Sequence, residues 1–432
     1  MFNHKNAIAM KTLVKYYLNI IPIALAIFLA GSSHAQNGNG SYSSYSGSLK
    51  DAKTRQDIVF AYITVPNSHI GTVSNSEGEF TLKIGNDVKA DEIEISHIGY
   101  KKKIVALSSL KANGNIIFLD PSSIELEEVT VRPIDPRQIV IDALQKIPYN
   151  YSESPNMLTG FYRETIKQRR EYISISEAVV DIYKSSYRPS GGNDRVKIYK
   201  GRKSANVKKA DTLTVKLQGG PSVSLLLDIA KHHDYLFMEE DIKNYDFTLE
   251  DMVTIDNRIN YVIGFAQHKY ITTPLYYGRL YIDTRNLAIT HAQFSLNLDN
   301  KEEAAKLFIK RKPAGVKFVP ISTSYLVNYN VQDGVYYLNY ARNELTFKAN
   351  WRKRLFNTTY TINSELAITD RSLDNISRFP YKESFKQTDI LNESVEAFND
   401  EDFWGEHNYI KPEESIQEAI IKYGKRLKRQ GR

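Results

Sequence analysis

"GTVSNSEGEFTLKI", residues 71–84, decides how the amino-terminal part of the chain is read. Asn75 to Gly78 supply a turn whose glycine takes positive φ without steric cost. Phe80, Leu82 and Ile84 then alternate with Glu79, Thr81 and Lys83, so a strand is predicted with its apolar side inward and its polar side outward. The two arms around the turn read as a hairpin. Upstream, "IVFAYITV" (58–65) alternates with apolar character on both sides. Ile58, Phe60, Tyr62 and Thr64 share one face and Val59, Ala61, Ile63 and Val65 the other, which suits a strand inside a sandwich. Downstream, "DEIEISHIGY" (91–100) turns Ile93 and Ile95 inward, and His97 continues that face as a core or edge histidine.

The succession Gly47, Asp51, Thr54, Ala61-x-Ile63-x-Val65, Gly71-Thr72, Gly78-x-Phe80-x-Leu82, Ile98-Gly99-Tyr100 and "LEEVTV" (126–131) resembles the carboxypeptidase-regulatory-like domain. The resemblance covers residues 46–132 and implies a prealbumin-like β-sandwich of about seven strands. The family accompanies some metallocarboxypeptidases. More often it is the N-terminal module of TonB-dependent outer-membrane receptors and other envelope proteins. Ser74 or Asn75 stands where the family usually has Asp, which touches only turn chemistry. The module itself catalyses nothing in these settings, so an active site would have to lie after Arg132.

The first residues read as an address. Lys5, Lys11 and Lys15 precede the apolar run "NIIPIALAIFLA" (19–30), and Ser33 and Ala35 flank His34. This is the pattern of a secretory signal peptide over residues 1–35, cut before Gln36, with Met1 or Met10 as the start. Residues 36–45 form a Gly/Ser-rich leader. The chain has no cysteine, which excludes disulfides, thiolate metal sites, a catalytic thiol and a lipid-anchored cysteine, and which fits an oxidising envelope compartment. Its 57 basic residues exceed its 50 acidic ones only mildly, and three of the lysines belong to the signal. That surplus gives no case for nucleic acid as a partner.

Beyond Arg132, Asp135 as N-cap, Pro136 at the first helical position and Gln138 three residues after the cap predict a helix with Val140, Ala143, Leu144 and Ile147 as its apolar stripe. It opens a second domain, residues 133–370, of α+β class. "EYISISEAVVDIY" (171–183) switches parity, predicting a bulge near Ser176 and Glu177. "GGPSVSLLLDIAK" (219–231) reads as a short helix. From Tyr245 onward the chain reads as a meander, with hairpins at "IDNRI", at Asp283 to Asn286, at Pro313 to Gly315 and at Asp333-Gly334. A bent antiparallel sheet over residues 245–370 is expected, with one of the two helices on its concave side. The hairpin G-x-L-Y-I-D-x-x-x-x-A-I (278–289) resembles those of periplasmic lipoprotein-carrier proteins, whose sheet curls round an acyl chain. The fold class is thus mainly β, a sandwich followed by an α+β domain with a curved antiparallel sheet and a few helices. A polar segment, 371–432, ends in a helix with the stripe Ile416, Ala419, Ile420 and Tyr423.

No HExxH, G-x-S-x-G or phosphate-cradling glycine loop occurs. "KHHD" (231–234) reads as a helix end rather than a metal site. No catalytic residue, metal or cofactor is therefore expected. Tyr277, Tyr281, Tyr336 and Tyr340 are the candidate binding residues, because Tyr combines β-propensity with large amphipathic contact area. In "VYYLNYA" (335–341) both faces carry apolar groups, so helices, a partner or a ligand must cover the second face. Lys197, Lys200, Arg202 and Lys203 lie in a basic run (195–209) and are candidates for contact with an anionic surface. A second run covers 422–432, and solvation is the plain reading of both. The expected function is a non-catalytic binding or scaffold protein at the periplasm or outer membrane. The alternatives are a lipid or lipoprotein carrier and a glycan or peptide hydrolase. The expected partners are an envelope protein, a glycan or a lipid, with membrane contact peripheral at most.

Overall fold

The computed structural model describes residues 41–122, 135–188, 192–205, 217–237, 242–308, 315–351, 357–397 and 403–430. The signal segment and "LEEVTV" lie outside the described residues. Strands β1 (Tyr42–Asp51), β2 (Tyr62–Thr64), β3 (Gly71–Val73), β4 (Glu79–Gly85), β5 (Glu92–Ser96), β6 (Lys103–Ala106) and β7 (Asn115–Leu119) make two small sheets, ordered β4-β1-β7 and β3-β2-β5-β6. Leu49, Phe80, Leu82 and Ile117 of the first pack against Ile63, Ile93 and Ile95 of the second. This shared core makes the pair a sandwich.

Residues 71–84 form a corner between the two sheets and not a hairpin within one, since β3 and β4 belong to different sheets. The turn itself is the expected one, with Gly78 at φ 70° and its N–H on the Asn75 carbonyl. Buried Ser74 redirects the chain: its Oγ donates to the Ile58 carbonyl and accepts from the Ala61 N–H, both at 2.9 Å. Gly78 meanwhile accepts from the Leu49 N–H at 2.8 Å, which draws β4 onto β1. The strand predicted over 58–65 shrinks to β2, because Phe60 takes a left-handed φ of 58° and breaks the extended run. Thr81 and Lys83 are buried rather than solvated. The C-terminal segment covers them: the Asn408 side chain accepts from the Lys83 N–H and donates to the Lys83 carbonyl, and Tyr409 hydrogen-bonds to the Thr81 side chain.

The rest of the chain builds α1 (Pro136–Asn150), β8 (Asn156–Gln168), β9 (Glu171–Lys184), β10 (Arg195–Ala205), α2 (Gly220–Ser224), β11 (Tyr245–Ile255), β12 (Arg258–Gln267), β13 (Tyr276–Asp283), β14 (Ile289–Leu296), α3 (Lys301–Phe308), β15 (Val316–Gln332), β16 (Val335–Trp351), β17 (Thr358–Ser372), α4 (Leu391–Ser394), β18 (Glu396–Ala397) and α5 (Glu414–Gln430). The strands form one curved sheet of 11, ordered β11-β12-β13-β14-β15-β16-β17-β8-β9-β10-β18. Pairing is antiparallel from β11 to β10, and β18 joins parallel. The meander from Tyr245 is as read, and its turns at Asp256-Asn257 and Asp333-Gly334 have both residues at positive φ, as two-residue hairpins require. The sheet is wider than the meander, because β8 to β10 extend it past β17.

The hairpin placed around Pro313 to Gly315 lies largely outside the described residues; ahead of it, Lys301–Phe308 is helical and forms α3. "KEEAAKLF" is rich in helix formers and starts with Glu302 and Glu303 in its first turn. The bulge expected at Ser176 and Glu177 lies at Ile173, between the pairs Ile166↔Ser174 and Lys167↔Tyr172. The parity switch in the sequence arises because β9 is buried on both faces: Val180 and Ile182 serve one core, Val179 another.

Those two cores explain how the sheet is covered. On one face, Val140, Ala143 and Ile147 of α1 pack with Leu225 and Ile229 onto Val180, Ile263, Ala292, Val327 and Leu366. Asp135 caps α1 as expected, accepting from the N–H groups of Arg137 and Gln138. On the other face, Val73 of the sandwich and Trp404 and Ile410 of the C-terminal segment pack onto Phe161, Val179, Tyr340 and Ala367. The buried Arg163 guanidinium fastens this side, donating to Glu177 at 2.8 Å, Glu365 at 3.3 Å and the Ile410 carbonyl at 2.7 Å. Ile416 and Ile420 of α5 dock on Tyr172 and Ile175. The second face of the sheet is therefore covered by the chain's own sandwich and tail. No helix among the described residues is long and apolar enough to cross a membrane.

Candidate functional site

Where the sandwich meets β12 to β16 the covering is incomplete, leaving a cleft of about 520 Å³. Phe60, Tyr62 and the loop Ser96 to Ile98 form its sandwich wall, and His291, Gln293, Asn328 and Arg342 belong to its sheet wall. The walls are tied by the Gly99 N–H on the Thr254 carbonyl at 3.0 Å, by Lys102 to Asp256 at 2.6 Å and by Phe60 stacked 5.8 Å from Tyr340. Two bulges border the cleft. Thr290 is the extra residue between Tyr281↔His291 and Ile282↔Ile289, and Asn339 the extra one between Asn328↔Tyr340 and Tyr329↔Leu338. Bulges of this kind re-aim side chains.

The bulge at Asn339 also separates residues that simple alternation groups together. Tyr336 and Leu338 join the core under the helices, while Tyr340 joins the core under the sandwich. Tyr336 is buried, its hydroxyl donating to Asp283 at 2.8 Å. Tyr340 is fully buried and donates to Glu365 at 2.9 Å. Tyr281 is buried beside Ile98 and edge-on to His291. Tyr277 is 47% exposed. Tyr277 and Tyr336 line the cleft; Tyr281 and Tyr340 support it from behind. The four basic candidates on β10 have separate surroundings. Lys197 is exposed near Glu383, Lys200 lies 4.6 Å from the Phe403 ring centroid, Arg202 is buried on Glu177 at 2.7 Å, and Lys203 donates to the Asn392 carbonyl.

The polar side of the cleft went unread in the sequence. His291 is buried and its Nδ1 has no hydrogen-bond partner among the described residues; the same holds for Asn328 Oδ1. Burial, with His97 close by, lowers the His291 pKa to about 3, so its ring is neutral. His97 is likewise held below its ordinary value by burial. The charged groups around the cleft already have partners: Arg342 with Glu365, Arg258 with Asp283, Asp256 with Lys102. The arrangement offers neutral hydrogen-bonding groups beside aromatic surface. The available signal was the polar alternation of His291, Gln293 and Ser295 within an otherwise apolar strand, matched by Asn328 on the neighbouring one.

Residues 45–131 match the CarboxypepD_reg-like domain family, in agreement with the resemblance read over 46–132. No curated protein matches the chain. Among solved structures it is similar to a DUF1329 family protein from Desulfovibrio piger, at 12% identity over 54% of this chain and 94% of that one, with a TM-score of 0.21. It is similar to a LolA superfamily protein from Nitrosomonas europaea at 10% identity, over 58% and 96%, with a TM-score of 0.18. It is also similar to lipovitellin at 8% identity, over 59% of this chain but only 28% of that one, with a TM-score of 0.26. At these TM-scores the likenesses carry no inference about activity.

Proposed function

We propose that the chain is a non-catalytic binding protein of the cell envelope, and that its ligand occupies the cleft between sandwich and sheet. One observation carries this reading: the cleft is lined by neutral hydrogen-bonding side chains, His291, Gln293 and Asn328, beside the aromatic surface of Phe60 and Tyr277. A ligand with hydroxyl or amide groups suits these side chains and packs its apolar side on Phe60 and Tyr277. A saccharide has this chemistry. The signal-like amino terminus supports a periplasmic or outer-membrane location. The carrier reading draws on the apolar part of the same cleft, Ile98, Leu326 and Tyr325, which would take an acyl chain.

Titration calorimetry of the purified protein against envelope oligosaccharides and short-chain phospholipids tests the proposal. The expected result is binding of a saccharide that weakens at least tenfold in Asn328→Leu. A phospholipid bound in its place favours the carrier reading. Affinities unchanged by Asn328→Leu for every compound that binds would remove the cleft from consideration.

A further inference from the structure

A second cavity, of about 110 Å³, shares Tyr62, Ser96, Asp256, Asn330, Val331 and Asn339 with the cleft; its two wall carboxylates, Asp256 and Glu94, are both paired with Lys102. Its wall includes Arg371 near the end of β17, His69 of the sandwich and Gln332 at the end of β15. Arg371 is only 7% exposed. Its guanidinium carbon lies 3.5 Å from the centroid of the Tyr337 ring. Nη2 donates to Gln332 Oε1 at 2.6 Å and lies 3.1 Å from His69 Nδ1. Nη1 has no hydrogen-bond partner among the described residues. Nor does any ion pair join Arg371 to a carboxylate there, in contrast to buried Arg163 with its two glutamates. Neighbouring Asp370 uses its Oδ1 to accept the backbone N–H of Arg371.

A buried guanidinium is costly unless paired and hydrogen-bonded. Stacking on Tyr337 and the bond to Gln332 fix its plane and leave Nη1 without a partner among the described residues. A planar, pre-oriented guanidinium of this kind suits a carboxylate or phosphate oxygen. Burial and the adjacent Arg371 hold the His69 pKa below its ordinary value, so His69 is a neutral neighbour and not a second cation. The space exceeds the volume of a single water, about 30 Å³.

We infer that this cavity is an oxyanion-binding site, formed by Arg371 together with His69 and Gln332, for a carboxylate or phosphate group. The wall residues it shares with the cleft make that group an acidic substituent of the cleft ligand, a step that rests on the proposed function; the oxyanion site can be tested without it. The test is thermal-shift and calorimetric titration of the full protein with inorganic phosphate and, separately, sodium acetate, at constant ionic strength. Methyl glucoside serves as the neutral control.

The expected result is a saturable rise in melting temperature with at least one oxyanion, reduced at least tenfold in apparent affinity in Arg371→Gln. Which oxyanion binds tells phosphate from carboxylate. Asn328→Leu should leave this response intact, so failure of the cleft reading is separable from failure of this one. His69→Ala, which keeps the guanidinium, supplies a weakened site if Arg371→Gln does not fold. No response from the wild type to either oxyanion, or an equal response in the folded Arg371→Gln or His69→Ala variant, overturns the inference.

Discussion

Tyrosine hydroxyls in this protein repeatedly end on buried carboxylates. Tyr187 and Tyr329 both donate to Asp228 at 2.7 Å, Tyr336 donates to Asp283, Tyr340 to Glu365 and Tyr162 to Glu164. Each pair lets an aromatic ring fill the core while its polar tip satisfies an acid that water cannot reach. This use accounts for part of the abundance of tyrosine better than an exposed binding face does. Glu164 differs from the others, having no basic partner among the described residues. Burial raises its pKa to about 7, against an ordinary 4.5. Below pH 4.5 it is protonated in both folded and unfolded chains and costs nothing. As pH rises from 4.5 to about 7 the unfolded chain ionises first, so stability falls, and above 7 the penalty is constant. Glu164→Gln should therefore stabilise the protein at pH 8, by on the order of 2 kcal/mol, and have little effect at pH 4. Denaturant melts at the two pH values check this; equal effects would show that Glu164 is not held neutral.

At the scale of elements, the corner at residues 71–84 decides whether the two small sheets close on one another. Gly78 sits at φ 70°, and a Cβ there would lie 3.0 Å from the Leu49 carbonyl oxygen. Gly78→Val should cost about 1–3 kcal/mol from the left-handed backbone alone, read as a lower midpoint in thermal or urea denaturation. An unchanged midpoint would mean that the turn relaxes freely. The turn was legible in the sequence because Asn, Ser, Glu and Gly announce it locally. The sheet to which each arm belongs was not, because buried Ser74 sets it through Ile58 and Ala61, and a serine in a turn gives no sign of being buried. The same division holds in the large sheet. Asp135-Pro136 announces α1 and Asp333-Gly334 announces a hairpin, but the bulges at Thr290 and Asn339 depend on pairing with distant strands. Alternation alone therefore put Tyr336 and Tyr340 on one face when the structure puts them on two. The candidate site suffered in the same way. Aromatic residues drew the reading to the tyrosines, while His291, Asn328 and Arg371 acquire meaning only when the sandwich is folded over them.

For the whole molecule, the sandwich acts as a cover on the second face of the sheet. It shares that face with Trp404 and Ile410, and contacts from Thr72 to the Tyr409 carbonyl and from Asn75 to the Lys411 carbonyl fasten it to the C-terminal segment. Neither module contains the cleft alone, so a ligand held there is bound by the junction. The central claim is that this junction holds a small hydroxyl-bearing molecule. Native purification of the protein from envelope extract, followed by mass spectrometry of what denaturation releases, tests it most directly when wild type and Asn328→Leu are handled in parallel. The account predicts a hydroxyl-rich compound released in near-stoichiometric amount from the wild type and lost from the variant. The same released compounds in the same amounts from both proteins would contradict it.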